Sequence, residues 1–174
     1  MEIKRIAFLE TYKTENSVMG VVMVTDAQTK PIEFRVTSSI NPTNFQKVLY
    51  GNVLHEHIAV ELVALPLLEA VNEELDLILV KDPLFLGANE KQNTRIVRVF
   101  NGSGNATHNH SQLQLKPANG KPEPTFLETS KNLEGELKSI YDILAEISEN
   151  RDLLEPFDRL TMACEQVHLK KTKD

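Results

Sequence analysis

Cysteine is nearly absent from this chain, and tryptophan is absent altogether. The single cysteine, Cys164, excludes an intramolecular disulfide and any zinc site built from several cysteines. Long apolar runs are missing too, because the densest apolar stretch, residues 58–71, is interrupted by Glu61, Pro66 and Glu69. It falls short of the roughly 18 apolar residues that a membrane span needs, so we expect no membrane insertion.

The N-terminal stretch also lacks a targeting signature. It carries charges at Glu2, Lys4 and Arg5 and contains no apolar run of signal-peptide length. Together with the lone cysteine, this predicts a cytoplasmic protein. A length of 174 residues fits one domain, or one domain with an appendage, that buries an ordinary core without disulfides.

An excess of positive charge is missing as well. The chain has 25 acidic and 19 basic residues and a net charge of −6. Binding along a phosphate backbone needs a positive surface, so this balance argues against nucleic acid as a partner. We expect self-association or contact with another protein instead.

Three strand-like segments occupy the first forty residues. They are rich in β-branched and aromatic residues, and turn-forming stretches separate them: EIKRIAFLE, SVMGVVMVT and PIEFRVTSS. They predict an antiparallel meander. The second segment is apolar at nearly every position, which indicates cover on both faces of the sheet.

Helices and two further strands follow. Asn41-Pro42 is a helix-start signal, and an amphipathic helix runs from about residue 52 until Pro66 ends or kinks it. LDLILVKD and TRIVRVF then predict two strands, and the short link between them allows either a hairpin or a tight parallel crossover. The predicted fold is α+β, with mixed α/β possible: a three-strand meander extended by two strands, with helices packed on the sheet.

The last third of the chain changes character. Residues 101–128 are rich in Gly, Pro, Asn and Ser and predict a flexible linker or loop after a core domain of residues 1–100. Residues 129–170 then carry apolar side chains spaced four and three apart, which predicts a helical hairpin. Apolar stripes beyond a flexible linker favour a non-catalytic protein whose hairpin makes subunit or partner contacts.

Polar side chains interrupt the apolar helix at LHEHIAVEL. His55 and His57 diverge by about 160° on an α-helix and cannot grip one ion. His57 and Glu61 lie one turn apart inside the apolar arc. Their simplest role is an i, i+4 hydrogen bond or ion pair. A small-ligand pocket around Tyr50, His57 and Glu61 is a further possibility.

Two more carboxylates stand at strand ends. Glu10 ends the first strand and Asp82 ends the probable central strand, where open α/β sheets build sites, although Asp-Pro is also an ordinary helix cap. Three antiparallel strands, a helix and a strand, in this order, resemble the ribonuclease H-like fold. That resemblance implies two divalent cations bound by carboxylates of the first strand, first helix and fourth strand.

Carried onto this sequence, the resemblance points to Glu10, Glu61 and Asp82 as Mg or Mn ligands, with His57 orienting Glu61 or assisting proton transfer. The alternative function is therefore a divalent-metal-dependent phosphodiester hydrolase, and otherwise no cofactor is expected. The chain departs from the family in having Glu10 where aspartate is typical. It also has only PLFLGANEKQN where a full helix follows the fourth strand.

A second resemblance concerns the first half of the chain. IAFLETYKTE, followed by PIEFRVTSSINPTNFQKVLYGNVLHEHIAVELVALPLL, resembles a family of uncharacterised prokaryotic proteins with an EFRVT…P…LYG core. The resemblance implies no known activity. The C-terminal hairpin lies outside it.

Overall fold

Seven strands form one mixed sheet in this computed structural model, which describes residues 1–102, 112–116 and 123–171. The strand order is β3-β2-β1-β4-β5-β7-β6. The strands are β1 (Ile6–Lys13), β2 (Val18–Thr25), β3 (Pro31–Val36), β4 (Leu77–Val80), β5 (Ile96–Asn101), β6 (Gln112–Gln114) and β7 (Thr125–Glu128). With helices on both faces, this confirms the predicted α+β class.

The direction in which the strands pair determines which strand ends lie at the same edge of the sheet. β1, β2 and β3 form the predicted antiparallel meander. β4 pairs parallel to β1, with Leu9 opposite Val80, and β5 pairs parallel to β4. The segment between β4 and β5 is therefore a parallel crossover, which the sequence left open. The carboxyl ends of β1, β4 and β5 consequently lie at the same edge of the sheet.

The first helical layer begins at α1 (Asn44–Tyr50). Its N-cap is Thr43, which forms a capping box with Gln46, so the start predicted at Asn41 is two residues early. After a 3₁₀ turn (Gly51–Val53) come α2 (Leu54–His57), a π-helical stretch (Ile58–Ala64) and α3 (Leu65–Ala70), and we call residues 54–70 the central helix.

The π-helical stretch changes which side chains of the central helix face the sheet. Pro66 has no amide hydrogen for the carbonyl four residues earlier, which interrupts the α-helical pattern. Because a π-helix turns less per residue than an α-helix, the buried face shifts after Ile58. Val60 is buried although an α-helical wheel places it outside the apolar arc of this helix, and Leu62 is 39% exposed although the same wheel places it inside that arc.

The C-terminal hairpin forms the second layer. It consists of α4 (Glu134–Ser148) and α5 (Glu155–Lys171). Its apolar stripe is buried against the sheet side chains Ile6, Phe8, Leu79 and their neighbours. The buried stripe residues are Leu137, Ile140, Leu144, Leu153, Phe157, Leu160 and Cys164. Because the apolar stripe is already buried against the sheet of the same chain, it gives no support to the prediction that the hairpin makes partner contacts.

Part of the predicted linker belongs to the sheet. Within residues 101–128, β7 pairs with β5, and β6 pairs with β7. Leu115 and Leu127 are buried under the hairpin. The apolar residues of these two short strands are outweighed in composition by the surrounding Gly, Pro and Asn, so composition alone did not reveal the two strands. Residues 103–111 and 117–122 of that predicted linker lie outside the described residues.

No helix among the described residues is both long enough and apolar enough to cross a membrane.

Candidate functional site

Alternation along β1 distributes its polar end over two faces of the sheet. Ile6 and Phe8 pack in the core under the hairpin, whereas Ala7 and Leu9 pack in the core under the central helix. Continuing the alternation, Glu10 falls on the hairpin face. Thr11 and Lys13 fall on the central-helix face.

The hairpin face at this edge holds Glu10 in a half-buried position. The backbone amide of Thr11 donates to Glu10 Oε1 at 3.1 Å. Burial raises the pKa of the Glu10 carboxyl, while this hydrogen bond and the nearby Lys81 ammonium oppose the rise. The Lys81 Nζ itself lies 5.8 Å from the centre of the Phe157 ring on α5. This face is closed by the hairpin.

The central-helix face of the same edge is open. Four polar side chains, which we call the strand-end cluster, line a cavity of about 60 Å³ there: Thr11, Lys13, His55 and Asp82. Ile58 and Ala59 of the central helix also line it. Lys13 and His55 are exposed, and Thr11 and Asp82 are half-buried. The cluster joins the carboxyl ends of β1 and β4 to the start of the central helix.

Asp82 has a structural role within this cluster. Its Oδ1 accepts a hydrogen bond of 2.9 Å from the amide of Leu84. With Pro83 at the first position, Asp82 caps the 3₁₀-helix Pro83–Glu90. The capping role considered for Asp-Pro is therefore present. One carboxylate oxygen is already engaged by the backbone.

Glu61 and His57 lie in a different place. Glu61 forms an ion pair with Lys91 from the segment after β4, and the His57 ring contacts Tyr50 with 4.5 Å between ring centres. These partners replace the predicted His57–Glu61 pair. They line a shallow pocket of about 200 Å³. This volume is below the roughly 300 Å³ at which ordinary small-molecule pockets begin, so the small-ligand possibility gains no support.

The donor set at the strand ends does not fit the divalent cations that the predicted hydrolase would need. Within the described ranges, no three carboxylate, histidine or cysteine side chains are grouped to hold a metal ion. Glu10 belongs to the hairpin face and Glu61 to the separate pocket beside Lys91. The central helix offers His55, Ile58 and Ala59 to the cavity. Among the residues that the structure describes, Asp82 is therefore the sole carboxylate lining it.

Sequence reasoning missed three members of the strand-end cluster. Thr11 and Lys13 could have been found by continuing the β1 alternation past its apolar part, which separates them from Glu10. His55 was set aside because it cannot chelate with His57. Its polar side chain near the beginning of the predicted helix was the one signal in the sequence, and its proximity to two strand ends comes from the tertiary structure.

The topology defines the class of fold. An antiparallel meander whose first strand pairs parallel to the fourth, and the fourth to the fifth, with a helix between strands three and four, is the ribonuclease H-like arrangement. This confirms the topology proposed from element order. The helical hairpin covers the face of the sheet opposite to the central helix.

Among solved structures of this class, the chain is similar to Endonuclease V. The Bacillus subtilis Endonuclease V matches with a TM-score of 0.57 and 10% identity, over 99% of this chain and 83% of that one. The Ciona intestinalis Endonuclease V, solved with a 24mer DNA that contains an inosine followed by a ribo-adenosine, matches with a TM-score of 0.54 and 12% identity. That match covers 98% of this chain and 88% of the other.

Human ENDOV matches at a TM-score of 0.53 and 11% identity, with 99% and 87% of the two chains covered. No family model and no curated protein matches the sequence. At these identities the likeness establishes the fold.

The prediction that nucleic acid is not indicated as a partner was wrong. It rested on the net charge of −6, yet the fold is shared with a protein solved in complex with DNA. Net charge is a property of the whole surface, whereas contact with a polyanion depends on the charges at one edge. The exposed Lys13 and Lys81 at the strand ends are such local charges.

Proposed function

We propose that this protein binds nucleic acid at the carboxyl ends of β1 and β4, through the strand-end cluster. The observation that supports this most directly is the fold, since an Endonuclease V of the same fold was solved with DNA bound. In such α/β sheets, ligands bind outside the carboxyl ends of the strands. The open face of this edge holds Lys13, His55 and Thr11 around the cavity.

Three of the four side chains of the cluster suit a phosphate group, while the fourth, Asp82, is engaged by the Leu84 amide as a helix cap. A lysine ammonium binds phosphate as a point charge, and the Thr11 hydroxyl and an imidazole N–H add hydrogen-bond donors. The cavity of about 60 Å³ is too small for an ordinary ligand pocket. Binding would therefore be a surface contact with the nucleic acid backbone, and it would weaken steeply with salt.

Fluorescence anisotropy with short labelled oligonucleotides tests this proposal. Single-stranded DNA, duplex DNA and RNA would be titrated at low salt, first with the wild type and then with Lys13→Ala/His55→Ala. We expect the double variant to bind at least about tenfold more weakly and with a smaller salt dependence.

Lys138→Ala is the matched control for this experiment. Lys138 is an exposed cation whose Nζ pairs with Asp142 on the hairpin, and it does not line the cavity of the strand-end cluster. Its loss should leave the affinity unchanged. Equal weakening by this control would contradict the proposed location, and absence of wild-type binding to every oligonucleotide would contradict the function.

A divalent-metal-dependent phosphodiester hydrolase is the second candidate. The observation that favours it is the likeness to structures named as endonucleases, together with the acidic side chain Asp82, which lies near enough to Glu10 to raise the pKa of the Glu10 carboxyl. Its test is the incubation of the same oligonucleotides with Mg²⁺ or Mn²⁺. Cleavage that is lost in Asp82→Asn would favour the hydrolase over simple binding.

A further inference from the structure

We infer that the strand-end cluster holds the phosphates of nucleic acid without a divalent cation, with Lys13 supplying the positive charge and Thr11 and His55 supplying hydrogen-bond donors. This inference rests on the proposed function and deepens it. It departs from the metal chemistry that the ribonuclease H-like resemblance implies, and that disagreement comes from the side chains present.

The first step is the count of ligands. Mg²⁺ and Mn²⁺ prefer oxygen ligands, and a protein site for them needs carboxylates that converge. Asp82 is the one carboxylate among the residues that line the cavity. One of its oxygens already accepts the Leu84 amide at 2.9 Å. A pair of divalent ions would bring four positive charges against this single negative one.

The second step concerns the positions on the central helix and on β1 that could supply further metal ligands. Ile58 and Ala59, the central-helix residues facing the strand ends, are buried apolar side chains with 6% and 4% exposure. β1 offers the hydroxyl of Thr11. Glu10, on the hairpin face, is half-buried beside Lys81. None of these side chains adds a carboxylate to the open face.

The third step is electrostatic. Lys13 lines the same cavity as Asp82, and no ion pair of Lys13 with an acidic side chain is present among the described residues. The exposed Lys13 ammonium beside the cavity repels a metal cation and attracts a phosphate. Lys13 thus adds a positive charge where a metal site would need further carboxylates.

Two measurements on the intact chain test this inference. Oligonucleotide affinity is compared in EDTA and in Mg²⁺ at matched ionic strength, and Mn²⁺ is titrated by calorimetry into wild type, Asp82→Asn and Thr11→Asp/His55→Glu. We expect affinities within about twofold in the two buffers and no saturable Mn²⁺ binding to the wild type. The last variant changes accessible side chains and places three carboxylates around the cavity, so we expect it to gain Mn²⁺ binding.

The outcomes separate the inference from the proposed function. Binding that is tenfold or more stronger in Mg²⁺, or wild-type Mn²⁺ binding that disappears in Asp82→Asn, would overturn the inference and leave nucleic acid binding intact. Failure to bind oligonucleotides in either buffer would contradict the proposed function. The Mn²⁺ titration would then decide on its own whether the cluster holds a divalent cation.

Discussion

The two faces of the sheet meet at the same strand ends but offer different chemistry. On the hairpin face, Glu10 is held half-buried beside the closed apolar core around Phe157. On the central-helix face, Lys13 and His55 stand exposed around an open cavity. The comparison teaches that a shift of one residue along β1 changes the chemistry of a site, because adjacent side chains of a strand point to opposite faces of the sheet.

The largest effect that sharpens this comparison is expected from Phe157→Ala. Phe157 is 1% exposed and makes an edge contact with Phe8 at 5.5 Å between ring centres. Its loss should lower the free energy of unfolding by about 3–5 kcal/mol. Phe45→Ala is the matched control, since Phe45 on α1 is 74% exposed, and should change little. If chemical denaturation showed an equally small change in stability for both variants, the hairpin would not be docked on the sheet.

A second, smaller loss is expected from Asn89→Ala. Asn89 is buried and bonds the amide and carbonyl of Ile96 at 2.8 and 3.0 Å, and Ser130 Oγ at 2.9 Å. It therefore fastens the segment after β4 to the start of β5. Removing it takes away the side-chain acceptor of the buried Ile96 amide, which should lower the free energy of unfolding by about 1–3 kcal/mol in urea unfolding. Unchanged stability would contradict this fastening role.

The third prediction compares two lysines at the same edge. Lys13 borders the open cavity, whereas the Lys81 ammonium lies over Phe157 on the hairpin face. Lys13→Ala should weaken oligonucleotide binding by about 1 kcal/mol and reduce the salt slope by about one. Lys81→Ala should have the smaller effect. The reverse order of affinities in anisotropy titrations would place the binding surface on the other face.

The smallest effect concerns the pH dependence of Glu10. Because burial raises the pKa of its carboxyl above the ordinary 4.5, the folded state binds the proton more tightly than the unfolded state, and stability falls as pH rises through this window. Glu10→Gln should therefore stabilise the protein at pH 7, on the order of 0.5 kcal/mol. The difference in stability between Glu10→Gln and the wild type should vanish below about pH 4.5, where Glu10 is protonated in both states. A stability difference that grows as the pH is lowered would contradict the prediction.

The fold was largely predictable because its signals are local. Alternation in the third segment and apolar runs in the second and fourth predict strands at the right places, and the 4, 3 spacing predicts the hairpin. The parallel direction of β5 and the strands within residues 101–128 were not predictable, since both depend on which distant segments pair. The Gly, Pro and Asn content of residues 101–128 as a whole masks the short strand-forming segments around Leu115 and Leu127.

The candidate site was predictable only in part. Asp82 was located correctly at a strand end, but Glu10 and Glu61 were assigned to the same site without knowledge of which faces they occupy. Glu61 lies in the π-helical stretch and pairs with Lys91, a contact between distant segments that an α-helical wheel cannot show. Thr11, Lys13 and His55 come from two separate elements, so only the tertiary structure brings them together.

The most direct test of the account is a map of the contact surface by NMR. Amide shifts of the isotope-labelled protein would be followed while a short DNA oligonucleotide is added in EDTA. We expect the perturbed amides to cluster around Thr11–Lys13, His55 and Asp82, with the hairpin unaffected. Perturbations confined to α4 and α5, or none until Mg²⁺ is added, would contradict metal-independent binding at the strand ends.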